Sequence, residues 1–170
     1  MRIGLVCVLA AVVTGCGYHV SGHADLMPAH VKTIAVPAFG NITGRYRLTD
    51  LMASSITREF ISRTRYQVVP DANEADAVVH GSVVNYLSFP NVSDQATGRA
   101  AGIQVIVVLN LELVERTTGK VLYSRPNFEM RNRYEIAIDP RAYFEESDLA
   151  LQRVSRDVAR QVVSAILEAF

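Results

Sequence analysis

The sequence predicts an α+β domain, a two-layer sandwich in which two helices pack on one face of a mixed four- or five-stranded sheet, in the order β-α-β-β-β-α. Three observations predict it: an amphipathic helical stripe near each end of the chain, one run of strict apolar alternation between them, and a tight turn that folds that run back on itself. The 170 residues, 49% of them apolar and 20% charged, are enough for one domain with its own core and exclude a disordered or fibrous chain.

The elements come in this order. Thr33 to Val36 is a short β-branched strand stopped by Pro37, and Gly40-Asn41 and Thr43-Gly44 mark a turn-rich loop. Leu48, Leu51, Met52, Ile56 and Phe60 recur at helical spacing with Arg58, Glu59 and Arg63 opposite, which predicts a helix over about 46 to 64. Tyr66 to Val69 is a brief second strand, and so short a β-helix-β connection favours a right-handed parallel crossover. Ala77 to Phe89 is a long strand, with Val79, Val83, Leu87 and Phe89 expected on one face and His80, Ser82 and Ser88 on the other.

The clearest alternation is Ile103, Val105, Val107, Leu109, Leu111 and Leu113. Thr117-Thr118-Gly119-Lys120 then makes a tight turn, so Val121 to Tyr134 returns antiparallel. On this last strand Leu122, Phe128, Met130 and Tyr134 are expected on one side and Arg125, Arg131 and Arg133 on the other. Past Asp139-Pro140, the acidic residues Glu145, Glu146 and Asp148 suit a helix start, and Leu151, Val154, Val158, Val162, Ile166 and Ala169 form the final helical stripe.

The first sixteen residues read as an export signal. Met1-Arg2 is a positive start, and Ile3 to Val13 is an apolar run of about the 7 to 15 residues of a signal core, short of the roughly 20 that span a bilayer. It ends in Val13-Thr14-Gly15-Cys16, which resembles the bacterial lipobox at which the signal is cut and the cysteine acylated. The organisation expected is therefore a cleaved signal at 1–15, a lipidated Cys16 with a linker over 16–30, and one domain over 31–170. Cys7 leaves with the signal, so no disulfide is expected within the mature chain.

Chemistry is sparse. There is no G-x-S-x-G elbow, P-loop, G-x-G-x-x-G or H-E-x-x-H signature, and no enzyme is expected. His19, His23 and His30 are loosely spaced in the linker and read as polar residues rather than metal ligands, and His80 as a surface histidine. Glu112 with Glu115, and Glu145 with Glu146, read as solvated charges. Lys plus Arg and Asp plus Glu each number 17, which argues against nucleic acid as a partner. From Arg99 to Arg141, however, seven basic residues (Arg99, Arg116, Lys120, Arg125, Arg131, Arg133, Arg141) face five acidic ones. Arginine forms bidentate contacts with phosphate that lysine cannot, so two readings stand: a solvated strand face, or a patch for phosphorylated lipid or an acidic partner.

Cys16-Gly17-Tyr18-His19-Val20 with Gly22, then Ile34-Ala35-Val36-Pro37-Ala38-Phe39 with Asn41 and Thr43, then Ala75-Asp76-Ala77-Val78-Val79 with Gly81, together resemble the LPS-assembly lipoprotein family LptE. The strand and helix pattern is shared with lipoproteins of the curli-secretion and peptidoglycan-synthase-activator types, which act by protein–protein interaction and form the alternative. Ser21 stands where some LptE members carry Arg. The resemblance implies an outer-membrane lipoprotein, not an enzyme, that plugs the lumen of an LptD-like β-barrel, supports its assembly and binds lipopolysaccharide in transit to the cell surface. It implies no cofactor beyond the diacylglycerol and N-acyl chain on Cys16. Gly17 in place of Asp after the cysteine resembles the sorting pattern of outer-membrane lipoproteins, with the domain on the periplasmic side or inside the barrel. Lipopolysaccharide demands cations beside apolar surface. Arg99 near Phe89 and Val92, and Arg141 near Ile138 and Tyr143, are the expected contacts, with Arg131 and Arg133 next along the last strand.

Overall fold

The computed structural model describes residues 27–93, 95, 100–135 and 140–170, with the backbone alone described at 92–93, 100–101 and 140–148. The signal segment, Cys16, His19, His23 and Arg99 lie outside the described residues. The elements are β1 (Thr33–Ala35), β2 (Gly40–Asn41), α1 (Tyr46–Arg63), β3 (Gln67–Val69), a 3₁₀ turn at Ala72–Glu74, β4 (Ala77–Ser93), β5 (Ala100–Glu115), β6 (Val121–Glu135) and α2 (Pro140–Leu167).

The sheet runs β3-β1-β4-β5-β6, with β2 beside β4. β1 is parallel to both β3 and β4, as a β-α-β crossover requires, and β4, β5 and β6 are successive antiparallel neighbours. This is the mixed two-layer α+β arrangement expected. The sheet gains a sixth strand because Gly40-Asn41, read as turn, pairs with Ser82 and Val83 before the loop begins.

Helix α1 forms where its stripe predicts: Leu48, Met52, Ile56 and Phe60 are fully buried. It ends as Thr64 turns extended, its N–H and hydroxyl both donating to the Phe60 carbonyl. The buried face of α2, from Val154 through Val158 and Val162 to Ile166, joins that of α1 and the β5 row Val105, Val107, Leu109, Leu111 and Leu113 in one core. Arg63 reaches the Arg160 carbonyl and the Ser164 hydroxyl, while Leu51 and Ser55 lie opposite Gln152 and Arg156. The two helices therefore run parallel.

Two bulges decide which side chains meet. Between Val83 and Asn85 the β4 register shifts by one residue, at Val84. Since side chains alternate with a period of two, one extra residue moves everything after it to the opposite face. Leu87 and Phe89, expected beside Val79 and Val83 in the core, instead stand on the far face, 47% and 43% exposed, while Tyr86 and Ser88 turn to the helix side. In β6 the break falls at Pro126-Asn127: proline cannot donate to the ladder, Asn127 takes φ 52, and its N–H donates to the Asn110 side chain. Arg125 thereby comes to the face of Phe128, stacking 3.9 Å above its ring, rather than joining Arg131 and Arg133.

The chain entering the domain is pinned. Met27 and Val31 are 4% exposed in the core, and Asp76 accepts the backbone N–H groups of Lys32 and Thr33 at 2.8 and 2.9 Å. Those bonds hold the Asp76 carboxyl below its ordinary pKa. A depressed carboxyl contributes stability that is present above its unfolded pKa and lost as pH falls through its folded one. Asp76→Asn is expected to lower the urea midpoint at neutral pH and to shrink the fall in midpoint on acidification below about pH 4, where free Asp titrates. An acid limb identical to wild type would refute this role.

Candidate functional site

The face of β4, β5 and β6 turned away from the helices carries the most distinctive surface among the described residues. Register places it in three rows: Asn85, Val108 and Glu129; Leu87, Ile106 and Arg131; Phe89, Gln104 and Arg133. Leu87 and Phe89 reach this face only through the Val84 bulge. Ile106 and Val108 beside them are partly covered, giving an apolar strip on two strands. Arg131 and Arg133, two residues apart on β6, stand about 7 Å from each other along the strand. Arg131 pairs with Glu129, which orients its guanidinium along the strip's edge. Residues directly opposite in a sheet are neighbours, so Arg131 borders Ile106 within its row, while Gln104 stands between Arg133 and Phe89. The chemistry is that of a surface for an amphiphile: aliphatic and aromatic area for chains, and planar guanidinium forks at one margin for phosphate or carboxylate.

The sequence-derived candidates fare unequally. Arg131 and Arg133 are exposed and adjacent on this face. Arg99 lies outside the described residues. Arg141 falls in the first turn of α2 rather than in a loop, and only its backbone is described. The ends of β4 and β6 do share one end of the sheet, since β5 residues 100 to 103 pair with Ser93 to Pro90 on one side and with Glu135 and Tyr134 on the other. The apolar half of the surface escapes a reading by period, which assigns Leu87 and Phe89 to the core, and a Val-Val pair before Asn85 carries no visible bulge signal.

At the other end of the sheet, Glu115 departs from its reading as a solvated charge. It is 6% exposed, accepts from the Thr118 hydroxyl, and pairs with His30 Nε2. The Thr118 bond first, and His30 second, hold its carboxyl below the usual range. His30 thus ties the entering chain to the β5–β6 turn. Glu112 stays exposed, as does His80 opposite it. On the helix side, burial first and facing Asp157 second push the Tyr134 hydroxyl up, and that hydroxyl donates to Asp157 at 3.0 Å, fastening α2 to β6. No group of three or more His, Cys, Asp or Glu residues is placed to hold a metal among the described residues, and no described helix is long and apolar enough to cross a membrane.

Comparison with known proteins locates this fold. It is similar to the PelC dodecamer subunit from Paraburkholderia phytofirmans (TM-score 0.54, 16% identity, 81% of this chain and 87% of that one). It is also similar to lipoprotein B from Nitrosomonas europaea, known from a solution structure (0.51, 14%, 86% and 88%). A third likeness is to the hypothetical protein CT253 from Chlamydia trachomatis (0.51, 11%, 80% and 98%). At such identities the likeness is one of fold. Among proteins of curated function, none matches the sequence significantly. The family model described as LptE, lipopolysaccharide-assembly, matches residues 31–166, the span from a core residue just before β1 to the last buried turn of α2. With four-fifths of its length matched in this way, the chain belongs to the LptE lipopolysaccharide-assembly family.

Proposed function

We propose that this protein is an outer-membrane lipoprotein, anchored through lipid on Cys16, that plugs and supports assembly of an LptD-like β-barrel and binds lipopolysaccharide on its way to the cell surface. The family accounts for the assembly role, which is non-enzymatic. The observation that carries the finer reading is the open strand face on which Leu87, Phe89, Ile106 and Val108 adjoin Arg131 and Arg133. Acyl chains lie on the apolar strip and the lipopolysaccharide's phosphates meet the arginines at its margin, with Arg99 and Arg141 kept as the further phosphate contacts expected from the sequence. A domain with charged strand faces also suits a polar barrel lumen.

Affinity purification of the tagged protein from native membranes tests the partner. A large β-barrel protein and lipopolysaccharide are expected to come down with it. Recovery of an inner-membrane peptidoglycan synthase, or of a homo-oligomeric pore without a barrel, would replace the reading with one of the alternative lipoprotein types. The residues are tested by Arg131→Glu with Arg133→Glu. Each exposed arginine–phosphate contact contributes about 1 to 3 kcal/mol, so the pair is expected to weaken lipopolysaccharide binding more than about tenfold while the fold persists. Unchanged affinity in the folded variant would remove these arginines from the site.

A further inference from the structure

We infer that the groove between the two parallel helices, on the layer opposite the open strand face, is a second binding site, one that takes a phosphorylated small group through Arg58 and Arg156. The groove has a volume of about 320 Å³ and is lined by Leu51, Ser54, Ser55, Arg58, Gln152 and Arg156. That is at the lower end of the about 300 to 1,000 Å³ of small-molecule clefts, room for a phosphate ester or a lipid headgroup rather than a bare ion alone.

Its charge is one-sided. Two guanidiniums, two hydroxyls and an amide line it, and no described lining residue is acidic. The acids next to the two arginines in sequence are engaged one turn further on: Glu59 pairs with Arg63 at 3.3 Å, and Asp157 with Arg160 at 3.7 Å while accepting from Tyr134. Parallel helices make this repeat possible, because equivalent turns of each present the same face at the same height. Arg58 is also held in place. Its Nη2 donates to the hydroxyl of Ser55, which is 4% exposed and fixed in the helix packing. Such preorganisation lowers the side-chain ordering lost on binding. Arg58 on α1 and Arg156 on α2 can then close on a phosphate from two sides, with Gln152 and Ser54 beside them to meet the ester or sugar hydroxyls.

The groove shares no residue with the strand face proposed for lipopolysaccharide. The test uses the full chain in micelles of a neutral detergent and follows the arginine Nε–H signals by NMR. Glycerol 3-phosphate is the soluble probe, and phosphatidylglycerol doped into the micelles is the lipid probe bearing the same headgroup chemistry. Saturable shifts of Arg58 and Arg156, beyond those caused by sodium chloride at equal ionic strength, are expected with one or both probes. A response to the soluble ester assigns a free metabolite, and a response to the doped micelle alone assigns a headgroup. Arg58→Gln with Arg156→Gln is expected to weaken the responding probe at least about tenfold, with unchanged melting and unchanged lipopolysaccharide affinity. Shifts that track ionic strength alone, or that move Arg125 and Arg160, neither of which lines the groove, as much as Arg58 and Arg156, would overturn the site without any variant being made.

Discussion

Phe39→Ala is expected to cost about 3 to 5 kcal/mol, the range for emptying a buried aromatic site, and so to remove a large share of the about 5 to 15 kcal/mol that holds a domain of this kind together. Phe39 comes after β1 and Pro37, is 5% exposed, and lays its ring on Gly81 of β4. A Cβ built on Gly81 would stand 2.5 Å from both Cδ2 and Cζ of that ring, so no larger residue fits while the ring is there. Gly81 therefore serves as the floor of an aromatic pocket in mid-strand, facing the core opposite Leu111. Gly81→Ala alone is expected to cost about 1 to 3 kcal/mol, through displacement of the ring. In the Phe39→Ala background the clash is gone, and the same alanine should cost much less or even restore some stability by filling the void. Urea midpoints of the two single variants and the double variant decide it, because residues in contact give non-additive costs. Strict additivity would show that ring and glycine do not share one space.

Cys16→Ala is expected to abolish attachment through lipid. On the proposed reading the acyl chains are the anchor, and two or three of them at about 0.8 kcal/mol per buried methylene hold the chain far more firmly than any exposed surface of the domain could. The described helices offer no substitute span. Fractionation should find the variant in the soluble periplasmic pool, or unprocessed with its signal retained. A variant still cleaved, lipid-modified and membrane-bound as before would overturn lipidation at this residue.

Legibility in the sequence is a matter of period. Helix α1 lies where its stripe puts it, and the β5 row from Val105 to Leu113 is buried as its alternation requires, because a burial pattern of 3.6 or 2 is written in residue spacing. Arg131 and Arg133 are legible for the same reason. Bulges break period without announcing themselves. Val84 sits in a Val-Val run that reads equally well as uninterrupted strand, so half of the amphiphilic surface is credited to the core. Pro126-Asn127 does carry a signal, an imino acid followed by a residue tolerant of positive φ, but strict alternation runs through it and puts Arg125 with Arg131 and Arg133 instead of beside Phe128. Glu115 is illegible for a different reason. Its burial comes from His30, 85 residues away in sequence, folding over the turn that Thr118 closes.

The pinning of the entering chain sets a leash length. Met27 is buried in the core, and His30, Lys32 and Thr33 fasten the next few residues to Glu115 and Asp76. Eleven residue steps separate Met27 from Cys16. At 3.3 to 3.6 Å per residue they reach at most about 40 Å when drawn straight. A lipid on Cys16 would confine the domain to a shell about that deep beneath the bilayer, a volume small enough to raise its local concentration greatly over that of the free protein. Any barrel partner in the same membrane would then be met by lateral search in two dimensions, with the β5–β6 turn, where the leash is fastened, as the pivot.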